Sequence, residues 1–398
     1  MDYDIVVSGG GIAGLAAAAA FGSDGYSVLC IDPAPPITDR DAEGADLRTT
    51  AFLQPARDFL DEIGLWSRLE SHAMPLQVMR IIDAGGDVPE PRVTKAFNAS
   101  DISDLPFGWN LPNWLLRREF VAHLESMDTV TFRPGTGTAA LFTRNAEARV
   151  TLSDGTKVRC RLVIAADGRN SPMRKAAGIG VETTRFGQKA LAFAVTHPIP
   201  HENVSTEIHR TGGPFTFVPL PDLDGRPSSA IVWMEEGPKA QALAALDTEA
   251  FEDAMTTRSC SLFGPLKLAS RRTIWPIISQ HAERLSSERL ALVAEAAHVV
   301  PPIGAQGLNM SLTDLRVLRD LIRKSDGDIG SRKLLDAYHQ KRIMDIRARV
   351  AGITLLNRTS MLSSRPLRDI RAKGLDALYT LKPVRKTLMQ LGLGARGT

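Results

Sequence analysis

A chain of 398 residues has room for two packed domains with ample core, and its 43% apolar and 23% charged content is that of a soluble globular protein. A formal charge of +3 gives no reason to expect a nucleic-acid partner. Cys30, Cys160 and Cys260 are scattered and form no C-x-x-C pair, so they read as small buried side chains in a reducing cytosol; the histidines make no H-x-x-x-H or H-E-x-x-H pattern, so no metal is expected.

The run Asp4-Ile5-Val6-Val7-Ser8 predicts a buried strand, Gly9-Gly10-Gly11 a tight turn, and the Ala-rich tail from Ile12 a helix. Gly9, Gly11 and Gly14 have the G-x-G-x-x-G spacing. The first turns the chain, the second lets a diphosphate approach the backbone at the helix N-terminus, and the third lets helix and strand pack closely. A second strand, 27–31, ends in Asp32, 18 residues after Gly14, where an acidic side chain holds ribose hydroxyls. An ADP moiety is the expected ligand. Asp2 and Asp4 precede the apolar stretch and glycines interrupt it, so 5–21 reads as neither a signal nor a spanning helix, and no other stretch is long and apolar enough to cross a bilayer.

Arg48 falls in a loop near the nucleotide end, and the pattern alone leaves a solvated surface arginine equally open. Residues 74–102 read as short alternating strands, with Gly85-Gly86 as a hairpin signal, in an insertion away from the nucleotide fold. Residues 113–124 read as an amphipathic helix capped by Asn113, with Arg117 and Arg118 in its first turns. A hairpin turning at Asp154-Gly155 leads into a strand that ends in Asp167-Gly168, before a helix opened by Ser171-Pro172. That places a carboxylate and an αL-capable residue where open α/β sheets bind ligands.

Residues 183–272 are strand-rich, at 191–195, 205–208, 215–219 and 229–234, with one helix at 248–259, which predicts an antiparallel sheet over a pocket. A strand from Leu290, a loop at Pro301-Pro302-Ile303-Gly304 and a helix near Gly307 then give a second anion-seeking helix N-terminus. Past Arg342 the chain is basic. Arg347, Arg349, Arg358, Arg365, Arg368, Arg371, Lys373, Lys382, Arg385 and Lys386 outnumber Asp345, Asp369 and Asp376. They interleave with Ile353, Leu355, Leu356, Met361, Leu362, Leu375, Leu378, Tyr379, Leu388, Met389 and Leu391. This fits helices docked on the core or a face on anionic lipid.

These motifs, in this order and over nearly the whole chain, resemble the class A flavoprotein monooxygenases, which include para-hydroxybenzoate hydroxylase. The stretch Gly213-Pro214-Phe215-Thr216-Phe217-Val218-Pro219-Leu220, followed by Ile231-Val232-Trp233, resembles the branch that hydroxylates polyprenylated rings in ubiquinone biosynthesis. The resemblance implies an α/β fold: a Rossmann-like FAD-binding domain of glutathione-reductase type (1–73, 104–182 and 274–340), interleaved with an antiparallel substrate sheet (74–103 and 183–273) and followed by a basic helical region (341–398). It implies that Gly9, Gly11, Gly14 and Asp32 hold the ADP half of FAD, and that Arg48 and Arg117 lie at the pyrophosphate and ribityl region. Asp167 and Gly168 would contact FAD and the nicotinamide nucleotide, and the N–H groups around Gly307, Leu308 and Asn309 would face the flavin pyrimidine edge. Pro301 and Pro302 would shape the loop beside the ring.

The chain departs from the family at Ala294-Glu295, where Gly-Asp is usual and the carboxylate bonds the ribityl chain. Glu295 keeps the charge with one more methylene, so the expectation is a surviving contact, a shifted backbone and retained FAD. His298 follows, as a proton-transfer residue or a hydrogen-bonded structural one. The chemistry implied is reduction of FAD by NAD(P)H, a flavin C4a-hydroperoxide, and oxygen transfer to a phenol in a site that excludes water. The base that favours the phenolate is not identified; His201, Glu207 and His209 lie in the sheet region and read as surface or structural. The implied partners are a polyprenyl-phenol and, through the C-terminal region of a cytoplasmic, peripherally membrane-associated enzyme, an anionic membrane surface. Association with other quinone-biosynthesis proteins or with copies of itself stays open. The alternatives are a hydroxylase of a small soluble phenol and a flavin-binding assembly protein with little turnover.

Overall fold

The computed structural model describes residues 1–325, 327–362 and 364–393; the side chains of Leu375, Leu378, Lys382, Leu388 and Leu391 lie outside the described residues. One layer is a six-stranded sheet ordered Ser286–Ser287, Leu290–Leu292, Leu162–Ala165, β1 (Ile5–Ser8), β2 (Val28–Asp32) and Val130–Pro134. Four of its five pairings are parallel, and β1 is buried along its whole length, which explains why its sequence is a continuous apolar run. Helix α1 (Ile12–Ser23) follows β1; its residues Ala16, Ala17, Ala18, Ala19 and Ala20 are fully buried, wedged against helix Asn113–Glu125 and the sheet. A helix buried on every side shows no apolar stripe, as here.

A small antiparallel sheet joins β3 (Thr49–Leu53), Gly108–Pro112 and Met74–Leu76. Asn113 is not the cap expected of the next helix. Pro112 holds that position, and the Asn113 side chain instead accepts from the Thr50 hydroxyl and donates to Asp46.

The other layer is a nine-stranded sheet. Its hairpin β4 (Val78–Asp83) and β5 (Val93–Asn98) forms one edge of this sheet, β4 running parallel to the strand Val204–His209. The centre is β6 (Val181–Thr196), β7 (Val204–His209), β8 (Pro214–Leu223) and β9 (Arg226–Glu236). The expected return to the nucleotide-binding layer at residue 274 comes later. Strand β10 (Thr273–Ala282) pairs with β6 from Val181↔Ala282 to Ala192↔Thr273, since Thr273, Trp275 and Ile277 continue an inward alternation.

The two faces of this sheet differ. Leu191, Phe193, Phe215, Phe217, Ile231 and Trp233 pack under helices Gly237–Ala245, which the sequence did not reveal, and Thr248–Arg258. On the opposite face Ala190, Met234, Val232 and Trp275 meet Val300 and Ile303 of the Pro-rich loop.

Helix α2 (Gln306–Arg323) packs beside α1. Helix α3 (Arg332–Ser360) runs through the expected boundary at 341 without a break, its buried Leu335, Tyr338, Ile346, Val350, Ile353 and Asn357 at helical spacing. Helices α4 (Arg365–Thr380) and α5 (Lys382–Leu393) follow, and α4 is fastened to the β4–β5 hairpin. Buried Asp83 accepts from both Arg92 and Arg371, Lys95 pairs with Asp376 at 2.6 Å, and the Tyr379 hydroxyl donates to the Ala96 carbonyl.

Candidate functional site

Four sequence motifs meet because their strands are parallel and adjacent: the chain leaves β1, β2, Leu162–Ala165 and Leu290–Leu292 at one edge of the six-stranded sheet. That carboxyl-end crevice is where open α/β sheets take ligands.

At its first turn the glycines divide into two kinds. A Cβ on Gly14 would lie 1.8 Å from the Gly9 carbonyl oxygen, and one on Gly9 (φ +109°) 2.4 Å from that of Ala166, so both are packing requirements. Around Gly11, the residue before α1, a Cβ would meet nothing within 4 Å, and no side chain caps the helix. The N-terminus of α1 therefore opens on a space fit for a diphosphate. Asp32 is braced against this turn, Oδ2 accepting from Gly10 N at 2.6 Å and Oδ1 from Ala34 N at 2.9 Å, with lone pairs left for ribose hydroxyls. Beside it a hollow lined by Pro36, Thr38, Phe132 and Pro134 suits a flat ring.

At the next strand end, Asp167 Oδ2 accepts from Met173 N while Oδ1 is buried without a partner among the described residues, and burial pushes the carboxyl up. An unmatched buried acceptor next to Gly168 (φ +79°) suits a ligand hydroxyl.

Arg48 and Arg117 are brought together by a residue the sequence reading passed over. Asp46 accepts from Arg48 Nε (2.8 Å) and Nη2 (2.7 Å) and from Asn113, and lies 3.8 Å from Arg117. Burial alone would raise its carboxyl, but these donors and both guanidinium charges hold it below the usual range. Two cations around one anion leave a net positive charge, as a pyrophosphate requires. Arg48 also lies 5.3 Å over the Trp275 ring, tying this loop to the large sheet.

The Ala294-Glu295 turn keeps glycine-like geometry: Ala294 stands at φ +55°. Glu295 directs its extra length to Arg169, with 3.6 Å between the charged atoms, on the partly exposed rim. His298 lies in the body of the molecule, where its Nε2 meets Asp314 Oδ2 at 2.7 Å and Arg342 Nε donates to Oδ1 at 2.8 Å. That placement speaks for a structural histidine, since a buried ring locked on a carboxylate is poorly placed to reach substrate.

The Pro-rich loop buries Pro301 and exposes Pro302, then passes through Gly304 (φ +63°) and Ala305 (φ +55°) into α2. No side chain caps α2, and Gly307 faces open space. The Asn309 side chain is otherwise engaged: Oδ1 accepts from Leu53 N, and Nδ2 donates to the carbonyls of Ala51 and Ala305. Gln306 joins three elements, accepting from Arg349 and donating to Gly304 and Gly392.

The open cradle at Gly11, the unmatched Asp167 oxygen and the cationic pair fit a dinucleotide, and the uncapped α2 fits an anionic ring edge. Residues 2–351 match the FAD binding domain family. The chain is 31% identical over 394 residues to the ubiquinone hydroxylase UbiL of Rhodospirillum rubrum, covering 98% of this chain and 89% of that one. It is 26% identical over 400 residues to the 3-demethoxyubiquinol 3-hydroxylase of Escherichia coli, covering 98% of each. In fold it resembles the p-nitrophenol 4-monooxygenase PnpA of Pseudomonas putida, with a TM-score of 0.78, 17% identity and 99% of each chain covered. The chain is thus a member of the class A flavoprotein monooxygenase family, an FAD-dependent, NAD(P)H-consuming aromatic-ring hydroxylase in the branch that holds the ubiquinone hydroxylases.

Proposed function

We propose that the chain hydroxylates the ring of a polyprenylated phenol in ubiquinone biosynthesis. The observation that carries this reading is the inner face of the nine-stranded sheet. Ala190, Ala192, Val232, Met234 and Trp275 offer an apolar wall that continues into Val300 and Ile303, the kind of surface a prenyl tail would lie along. A small soluble phenol would ask for more polar anchors.

FAD reduced by NAD(P)H would supply the activated oxygen. Gly9, Gly11, Gly14 and Asp32 would hold the ADP half, Arg48 and Arg117 the pyrophosphate, and Asp167 and Gly168 a neighbouring hydroxyl. Glu295 would face the ribityl chain. The N–H groups of Gly307, Leu308 and Asn309 would stabilise negative charge at the pyrimidine edge, and Pro301 and Pro302 would keep water from the ring. The test is substrate-stimulated NAD(P)H oxidation with short- and long-tailed prenylphenols, with mass spectrometry of the product. Gain of one oxygen, with tighter binding of longer tails, is expected. Equal handling of an untailed phenol would favour the soluble-substrate reading, and NAD(P)H oxidation unmoved by every phenol the flavin-binding assembly protein that the Ala294-Glu295 pair suggests.

We also propose that the C-terminal region touches anionic membrane. Arg349, Arg371 and Arg385 are turned inward to Asp345, Asp83 and Asp101. Arg347, Arg358, Lys373 and Lys386 are exposed, beside exposed Met344, Leu355, Leu356, Leu367 and Ile370. Among the described residues no helix is long and apolar enough to cross a membrane. Co-sedimentation with anionic liposomes at low salt, lost on Leu355→Asp with Leu356→Asp, is the expected result.

A further inference from the structure

The sheet register brings together two side chains that the sequence alone marks as surface or structural. Glu207 and His209 both lie on β7, two residues apart, and so point to the same face. Glu207 is paired with Thr216 of β8, and Thr216 with Val232 of β9. Val232 packs with Trp275, Val300 and Ile303 at the apolar wall. The two side chains therefore stand on the wall that faces the Pro-rich loop, about 10 Å, or two strand spacings, from Val232. Helices Gly237–Ala245 and Thr248–Arg258 cover the other face.

Glu207 Oε1 lies 2.7 Å from His209 Nε2, with the side chains 18% and 16% exposed. His209 Nδ1 is buried and makes no hydrogen bond among the described residues. With the Nε2 proton directed to the carboxylate, Nδ1 carries a lone pair and has nothing to accept from. His298 Nδ1 is left the same way on its carboxylate, so what sets His209 apart is its place on the sheet face that carries the apolar wall.

We propose that Glu207 and His209 form the acid–base dyad that ionises the substrate ring hydroxyl, a step that rests on the hydroxylase reading above. The phenol O–H bond breaks and an N–H bond forms at His209 Nδ1. The imidazolium so made is balanced by the Glu207 carboxylate, and the electron pair stays on the phenolate oxygen, where it enriches the ring for attack by electrophilic oxygen. On the same face of the neighbouring strands the charged groups are already committed, while Arg80 of β4 points to the other face and Arg210 donates to the Asp87 carbonyl. Asp83 of β4, in register beside His209, is bound by Arg92 and Arg371; Lys95 of β5, opposite Ile81, is paired with Asp376 of α4; Arg371 comes from α4 itself. From β8 the neighbours are Pro214 and Thr216, neither of which titrates.

The test uses the FAD-loaded full-length protein, oxidised and without reductant, and a short-tailed prenylphenol whose phenolate absorbs at longer wavelength than the phenol. A pH titration of the difference spectrum should place ionisation of the bound ring at least about one unit below that of the free phenol. His209→Gln should return it to the free value, Glu207→Gln should move it part of the way, and Glu207→Asp should keep the shift. FAD content and melting temperature check that each variant folds, and either Gln variant alone decides the matter if the other does not. Ionisation of the bound phenol unchanged from parent in the folded Gln variants overturns the dyad and leaves the hydroxylase reading standing. Failure of the parent to bind any phenol overturns that reading, and the dyad with it.

Discussion

Asn309 holds Leu53 as a neighbouring strand would. Its amide oxygen accepts from Leu53 N at 2.8 Å and its nitrogen donates to the Ala51 carbonyl at 2.8 Å, so the first turn of α2 is clipped to β3, the strand that follows Arg48. A third bond, to the Ala305 carbonyl at 2.6 Å, fixes the left-handed residue before α2. Asn309→Leu strands these buried groups, and we expect a loss of about 2–4 kcal/mol in urea unfolding. FAD affinity should fall with it, measured by flavin fluorescence on apoprotein.

Gly11→Ala separates binding from folding. The added methyl has ordinary backbone angles (φ −69°) and open space around it, so urea unfolding of the apoprotein should change by less than about 0.5 kcal/mol. The same methyl intrudes where a diphosphate approaches, and FAD affinity should fall by about tenfold or more. Gly14→Ala, with 1.8 Å to the Gly9 oxygen, should instead damage the fold and yield little soluble protein.

Ala294→Gly should stabilise the protein. A left-handed conformation costs a non-glycine residue roughly 1 kcal/mol, partly offset by the greater freedom of glycine in the unfolded chain. A melting temperature raised by about 1–2 °C is the expected outcome. Glu295→Ala, by contrast, should weaken FAD binding and leave the melting temperature of apoprotein nearly unchanged, because its contact with Arg169 is on the exposed rim.

Asp314 sets an acid limit. Burial alone would raise its carboxyl, but His298 and Arg342 hold it below the ordinary value. Because the folded state then binds fewer protons than the unfolded one, this contribution is complete above the unfolded value of about 3.9 and is lost as pH falls through the lower folded value. Asp46 and Asp83 act in the same direction. Asp314→Asn leaves Arg342 buried without its anion and should cost about 3–5 kcal/mol at neutral pH while flattening the acid limb, as followed by urea midpoints from pH 3 to 7.

The glycine turn, Asp32, the Asp167-Gly168 strand end and the start of α2 were legible in the sequence because each obeys a local rule: a fixed spacing, a β-branched run, a capping pattern. What the chain did not reveal depends on distant contacts. Asp46 looks like any loop carboxylate until Asn113 and Arg117 arrive from another segment. Asp314 sits mid-helix, and only packing of α3 brings Arg342 to it. The Asn113 cap failed because that side chain had a better use across the small sheet. The boundary at 274 was misplaced because strand propensity cannot tell which sheet a strand will join. The dyad stayed hidden because alternation shows that Glu207 and His209 share a face, and not which one.

Helix α3 is one rod about 44 Å long. Near its start the Tyr338 hydroxyl is anchored to the Leu292 carbonyl of one layer, and near its end Asn357 is anchored to Gln188 of the other. The two layers therefore ride on a common axle and cannot be pried apart like jaws.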